Sequence, residues 1–384
     1  MNQRILLTQQ NNIKIEKPYF QNLDALRFFA AFAVFIFHFF QEFNVYFIPA
    51  TAQTTFKLMN VVLSKGALGV NFFFVLSGFL ITYLILFEIQ QKGNFQLKNF
   101  LIRRTLRIWP LYFLIMLIGF VIFPVIIPGY STVHNPWYYV FFLANFDEIN
   151  HGLQDAINFL TAPWSVAVEE QFYLFWGVAL SLLFKTKKFK LNHLLLLIWL
   201  LSIGFTLLHI GEERILYYHT FSVMSNIVIG GFLAQLTFNK NTFLMGLKNM
   251  PKYLILLVYL AGFTIILLKN KIFIGPMEVL EQSIISLFFA FVILEQVYLK
   301  NAIFKVGKIK FFNHLGKISY GLYLYHLIIM YLIQRFISPH ILDNSPVFNL
   351  ALLLSINGLA TYFLAALSYL YFEKPFLSIK KNFT

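Results

Sequence analysis

Cysteine is absent from the 384 residues, which excludes disulfides and thiolate metal sites and leaves the redox compartment unread. Charge is scarce as well: 12% of residues are Asp, Glu, Lys or Arg, where a soluble domain has about 25%. Acids are the scarcer sign, 16 against 30 basic residues. No internal repeat, low-complexity tract or stretch of soluble-domain composition interrupts the chain. What fills it is apolar, with 59% hydrophobic residues and a mean hydropathy of +0.70 spread along the whole length. That balance implies an all-α, polytopic membrane helical bundle. Residues 1–23 are polar and lack the apolar h-region and small-residue cleavage site of a signal peptide, so the first helix is expected to stay in the mature protein.

Apolar windows of roughly 20 residues place about ten transmembrane spans. They lie near 24–40, 66–88, 108–128, 163–184, 191–209, 215–238, 251–268, 277–299, 318–337 and 347–372. The aromatic piece PWYYVFFLANF (136–146) is too short to span and is expected at the interface or dipping into it. With the N-terminus inside, 23 of the 30 lysines and arginines fall on cytoplasmic segments, 6 on the opposite side, and Arg27 within the first span. This bias sets both termini in the cytoplasm. The net charge of +14 is then mainly topological, and nucleic acid is not an expected partner. The expected organisation is a cytoplasmic N-terminal segment (1–23), a membrane domain (24–376) and a short cytoplasmic tail (377–384).

Ionisable residues inside such runs are rare and need a reason. DALRFFAAFAVFIFH carries Arg27 and His38 eleven residues apart, which on a helix is roughly 16 Å of rise and a return to nearly the same face. Arg27 is expected near the cytoplasmic mouth, with His38 deeper on the same stripe. A snorkelling arginine and a histidine bonded to a neighbouring helix would also fit, but such groups more often line a cavity. FLIRRTLRIWPLYF sets Arg103, Arg104 and Arg107 just ahead of a span. They either orient that helix or hold phosphates by charge-assisted contacts.

In APWSVAVEEQFYLFW, Glu169 and Tyr173 are one turn apart, and Trp164, Ser165 and Glu169 can share a face. Glu169 and Glu170 point about 100° apart, so at most one faces a given helix. A carboxylate turned toward His38 would hold its tautomer and stabilise its imidazolium, as a general base requires. Two solvated acids at a span entrance are the plainer alternative. In GVNFFFVLSGFLITYL, Gly69, Ser77 and Gly78 read as close helix packing. LGKISYGLYLYH aligns Ser319, Tyr323 and His326 on one stripe, with His326 expected nearer the cytoplasmic face than His38. YFEKPF leaves Glu373 and Lys374 at the end of the last span.

Taken in order, LDALR with His38, GVNFFFVLSGFLI, RRTLRIWPLY, WSVAVEEQFY, LGKISYGLYLYH and FEKPF resemble acyltransferase family 3. These are integral membrane O-acyltransferases of the O-antigen acetylase type. The likeness runs over residues 23–376, with Ala25 where the family commonly has Gly and Tyr325 where an aromatic, often Trp, is usual. The resemblance implies an enzyme of the cell membrane (inner or plasma). It would take an acyl group from acyl-coenzyme A, acetyl-CoA in the simplest case, and pass it to a hydroxyl of an envelope carbohydrate or glycolipid.

Arg27 with His38 matches the family's arginine-X10-histidine motif, and Arg104 with Arg107 its R-X-X-R motif. On this reading Arg27, Arg103, Arg104 and Arg107 bind the donor, His38 is the base, and Glu169 orients it. Ser77, Ser165, Tyr173, Ser319, Tyr323, His326 and Glu373 support them. Acyl-CoA is then a substrate, and neither a bound cofactor nor a metal is expected. Some members add a soluble esterase-like domain; this chain reads as the stand-alone type. The alternative is a carrier or flippase for a lipid-linked sugar, against which no paired halves with matching broken segments are found.

Overall fold

A computed structural model describes residues 18–47, 59–151, 159–186, 190–239, 242–338 and 346–383. The expected cytoplasmic stretch 1–17 and residue 384 lie outside the described residues. The described residues are 87% helical and hold no strand. Ten long helices carry the architecture. They are α1 (Gln21–Phe47), α2 (Gly69–Lys92), α3 (Leu97–Leu117), α4 (Pro163–Thr186) and α5 (Leu191–Leu208). Then come α6 (Thr220–Phe238), α7 (Lys252–Ile272), α8 (Glu278–Tyr298), α9 (Ser319–Phe336) and α10 (Pro346–Ser368).

Nine segments among the described residues are long and apolar enough to cross a membrane. The tenth expected one, α9, is only 18 residues long and is diluted by Ser319, Tyr323, Tyr325 and His326, all buried in the bundle. Gln334 and the exposed Arg335 at its end lower its hydropathy further. α3 begins at Leu97, eleven residues ahead of the apolar run expected to span from near 108. Arg103, Arg104 and Arg107 therefore sit inside the helix rather than ahead of it. Their guanidiniums find acids, rings and a cavity within the protein, so the helix needs no aqueous boundary before them. A π turn, Ile118–Ile122, and Phe123–Ile126 prolong α3 beyond its last regular turn.

Lipid offers no hydrophobic drive to pull apolar helices together, so close backbone approach and polar contacts carry their association. α2 and α6 pair in this way: a Cβ on Gly78 would collide with the Ile227 carbonyl, and one on Gly230 with the Val75 carbonyl. Asn71 donates to Gln282 Oε1 (2.9 Å), Trp176 Nε1 to Thr82 Oγ1 (3.0 Å) and Trp199 Nε1 to Ser283 Oγ (3.0 Å). These bonds tie α2 to α8, α4 to α2 and α5 to α8. α1 touches α2, α8, α9 and α10; α3 packs on α4, and α7 on α8. Leucines of α5 and α7 such as Leu197, Leu201, Leu257 and Leu260 are exposed on the outside, as a lipid-facing surface requires.

Between α3 and α4 the chain forms two short helices, Pro136–Val140 and Ala144–His151. Asn135 caps the first by accepting from Trp137 N (3.0 Å). The buried Tyr139 donates to Leu160 O (2.9 Å), and its own carbonyl accepts from Tyr112 (2.9 Å). The aromatic segment 136–146 is thus fastened to the end of the bundle and does not span.

Candidate active site

Helices α1, α2, α3, α4 and α9 enclose a cavity of about 100 Å³. Arg27 enters it from α1, Ser77 from α2, and Arg104 and Arg107 from α3. Ser165, Glu169 and Tyr173 come from α4, and Ser319, Tyr320 and Tyr323 from α9. Segments far apart in sequence therefore meet around one space.

The four arginines have different surroundings. Arg103 is about 100° round the helix from Arg104, and its guanidinium is closed off: Nη2 pairs with Glu88 Oε2 (2.8 Å) and Nη1 donates to Phe383 O (2.6 Å). Arg103 does not line the cavity. Arg27 does, with Asp24 one turn earlier as its counter-ion at 2.5 Å, and Tyr19 donates to the other Asp24 oxygen (2.6 Å). Arg104 lies over the rings of Phe100 and Tyr173, 5.6 and 5.4 Å from their centroids. Neither Arg104 nor Arg107 forms an ion pair with an acid among the described residues. Both guanidiniums face the cavity, which they share with the carboxylate of Glu169.

The two acids of α4 part company, as their 100° separation requires. Glu169 Oε1 accepts from Ser77 (2.6 Å) and Oε2 from Tyr173 (2.8 Å), which aims the carboxylate at the cavity. Glu170 accepts from Trp109 Nε1 (2.9 Å) on a different side. The contact expected between Glu169 and His38 is not formed among the described residues.

The ring against His38 is that of His326, with centroids 5.3 Å apart. His326 therefore stands level with His38 rather than nearer the cytoplasmic face, because the α1–α9 crossing brings the two positions together. His326 is buried; its Nδ1 donates to Tyr323 O (2.5 Å), while Nε2 has no hydrogen-bond partner among the described residues. Tyr323 connects this pair to the cavity, its ring 5.8 Å from His326 and its hydroxyl 2.7 Å from Ser165 Oγ. Ser319 donates to Gly316 O (2.8 Å) at the cavity wall. Glu373 lies apart in a chain of its own: Tyr325 donates to Ser368 (3.0 Å), and Ser368 to Glu373 Oε1 (3.2 Å).

Three groups escaped the sequence reading. Asp24 was visible in principle, since it precedes Arg27 by one turn. Glu88 and Tyr320, whose hydroxyl donates to Ile108 O (2.9 Å), gave no local signal because their partners lie on other helices.

Three half-buried arginines against one glutamate at a shared cavity, near a histidine pair, lie inside a polytopic helical bundle. The model of a family described as an acyltransferase domain matches residues 20–370, and the chain belongs to that family, acyltransferase family 3. It is 28% identical over 390 residues to a provisionally named O-acetyltransferase of Staphylococcus aureus strain COL, covering 93% of this chain and 57% of that one. Identity is also 28%, over 380 residues and with the same coverage, to O-acetyltransferase OatA of S. aureus strain NCTC 8325. The chain thus spans a little over half the length of these relatives. No solved structure matches it.

Proposed function

We propose that the protein is an O-acyltransferase of the cell membrane. It moves an acyl group, acetyl in the simplest case, from acyl-coenzyme A to a hydroxyl of an envelope carbohydrate or glycolipid. The observation that carries this reading is the excess of cations at the cavity, where Arg27, Arg104 and Arg107 face the single carboxylate of Glu169. A cavity that holds more cation than acid favours entry of a ligand of the opposite charge. The phosphates of coenzyme A supply the missing charge, and planar guanidiniums suit them. The names of the staphylococcal relatives support acetyl as the group carried.

In this reaction the acceptor hydroxyl gives its proton to a nitrogen of His38 as its oxygen bonds to the thioester carbonyl carbon. The carbon–sulfur bond then breaks, and the coenzyme A thiolate leaves with a proton returned from the imidazolium. His326, its Nδ1–H committed to Tyr323, offers a lone pair at Nε2 beside that ring. Glu169 acts here through the charge of the cavity, held by Ser77 and Tyr173.

The test is donor binding and label transfer with radiolabelled acetyl-coenzyme A and purified protein. Arg104→Ala and Arg107→Ala are each expected to weaken binding by roughly 10- to 100-fold, the value of a charge-assisted hydrogen bond, while the protein still inserts. Lysine at either position should restore only part. Unchanged donor affinity in both alanine variants overturns the reading. A carrier for a lipid-linked sugar would leave the thioester intact.

A further inference from the structure

The connection between α3 and α4 gathers a second set of titratable side chains that the acyl-transfer cavity does not use. His134 and Asp147 are buried, with His134 Nδ1 2.5 Å from Asp147 Oδ2. His151, one turn beyond Asp147 on the helix Ala144–His151, brings its Nδ1 to 3.2 Å from Asp147 Oδ1 and 3.1 Å from the Asp147 main-chain carbonyl. Both rings turn the same nitrogen toward one carboxylate, and one ligand atom from each of the three residues lies within 4.8 Å of the others. On the far side of the His134 ring, Nε2 is 3.7 Å from Glu148 Oε1. That oxygen has no hydrogen-bond partner among the described residues, on a side chain only 2% exposed.

A neutral imidazole has one proton to give, and His134 has a carboxylate at each nitrogen. With the proton on Nδ1, Asp147 is satisfied and Glu148 Oε1 stays bare, which is costly for a buried oxygen. With the proton on Nε2, Glu148 is satisfied, and a lone pair on Nδ1 then faces the Asp147 carboxylate. A second proton on the ring would satisfy both carboxylates, and so would a metal cation bound by Nδ1 and Asp147 with the ring's proton on Nε2. Metal-bound histidines characteristically donate their other ring N–H to a carboxylate, which is the place Glu148 occupies.

We propose that His134, Asp147 and His151 form a site for a divalent transition-metal ion of the zinc type, with Glu148 fixing the His134 ring. Two imidazoles and one carboxylate form a donor set that suits zinc with a fourth position left for water; calcium and magnesium favour all-oxygen sets. His151 is 35% exposed at its side chain, which provides an entry path and room for that water. The ion would clamp the strand of chain before Pro136 onto the helix Ala144–His151. That helix is itself tied to α4, where Gln171 donates to Asn145 Oδ1 (2.8 Å). The site is a fastening for this connection and lies outside the acyl-transfer cavity.

The experiment uses the untagged full chain in detergent, stripped with a chelator and reloaded with Zn²⁺, or with Co²⁺ as a spectroscopic stand-in. The expected result is one Zn²⁺ per chain by mass spectrometry of the metal, visible absorption from bound Co²⁺, and a rise in melting temperature on adding Zn²⁺. Glu148→Gln should weaken affinity by about 10- to 100-fold, as loss of an outer carboxylate does. His151→Gln, at a partly exposed position that leaves packing intact, should remove both the Co²⁺ spectrum and the thermal response. Uptake by the stripped wild type no greater than by the His134→Ala/His151→Gln double variant overturns the proposal and leaves a cluster that shares only protons.

Discussion

His38 has two candidate helpers, and the sequence favoured Glu169 over His326. Glu169 had the better chemistry for supporting a base, yet its two oxygens are taken by Ser77 and Tyr173. His326 had the weaker claim, yet its ring is the one against His38. On the proposed reaction, His38→Ala should lower transfer by about 10²- to 10⁴-fold, the value of a general base, with donor affinity retained. Glu169→Gln should act mainly on donor affinity, and Glu170→Gln should do less than either, since its carboxylate is spent on Trp109. Transfer by each purified variant at saturating donor, with binding measured separately, checks this; a His38→Ala enzyme keeping most of the wild-type rate contradicts it. Arg27 and His38 could be picked out from sequence because a shared stripe follows from the helical period alone. The contact between His38 and His326 could not, because no local spacing encodes which helix crosses which.

At the scale of helices, the apolar runs located every long element, and the errors fell where polar residues are buried. α9 falls outside the nine membrane-crossing segments with Ser319, Tyr323, Tyr325 and His326 turned inward, and α3 runs back to Leu97 with its arginines inside the helix. Hydropathy measures what lipid would tolerate and takes no account of what a neighbouring helix supplies. The glycines were more readable: Gly78 was singled out for close packing, and it does admit the backbone of α6. Its counterpart gives a clean test. Gly230→Ala forces a methyl group against the Val75 carbonyl, and overpacking of this kind costs about 1–3 kcal/mol. Gly204→Ala meets nothing within 4 Å and removes a poor helix former, so it should be neutral or slightly stabilising. Thermal unfolding in detergent compares the two; equal melting temperatures would show that α2 and α6 can part without cost.

For the whole molecule, the basic residues divide into those that set orientation and those the fold has drawn inside. Three guanidiniums, those of Arg27, Arg104 and Arg107, open on one cavity against the single carboxylate of Glu169, with Asp24 behind Arg27. Such an imbalance reaches beyond the protein surface, because a mouth of one sign draws oppositely charged solutes toward it through solution. Its reach shrinks with dissolved ions, from about 10 Å at about 0.1 M to about 3 Å at about 1 M. Donor capture should therefore be the step that feels salt. With acetyl-coenzyme A, kcat/KM is expected to fall severalfold between about 0.05 and about 0.5 M KCl while kcat holds. An acetyl-pantetheine donor, which has the same thioester and no phosphates, should show a flat profile; matching slopes for the two donors would mean that the cavity's charge plays no part in drawing the donor in.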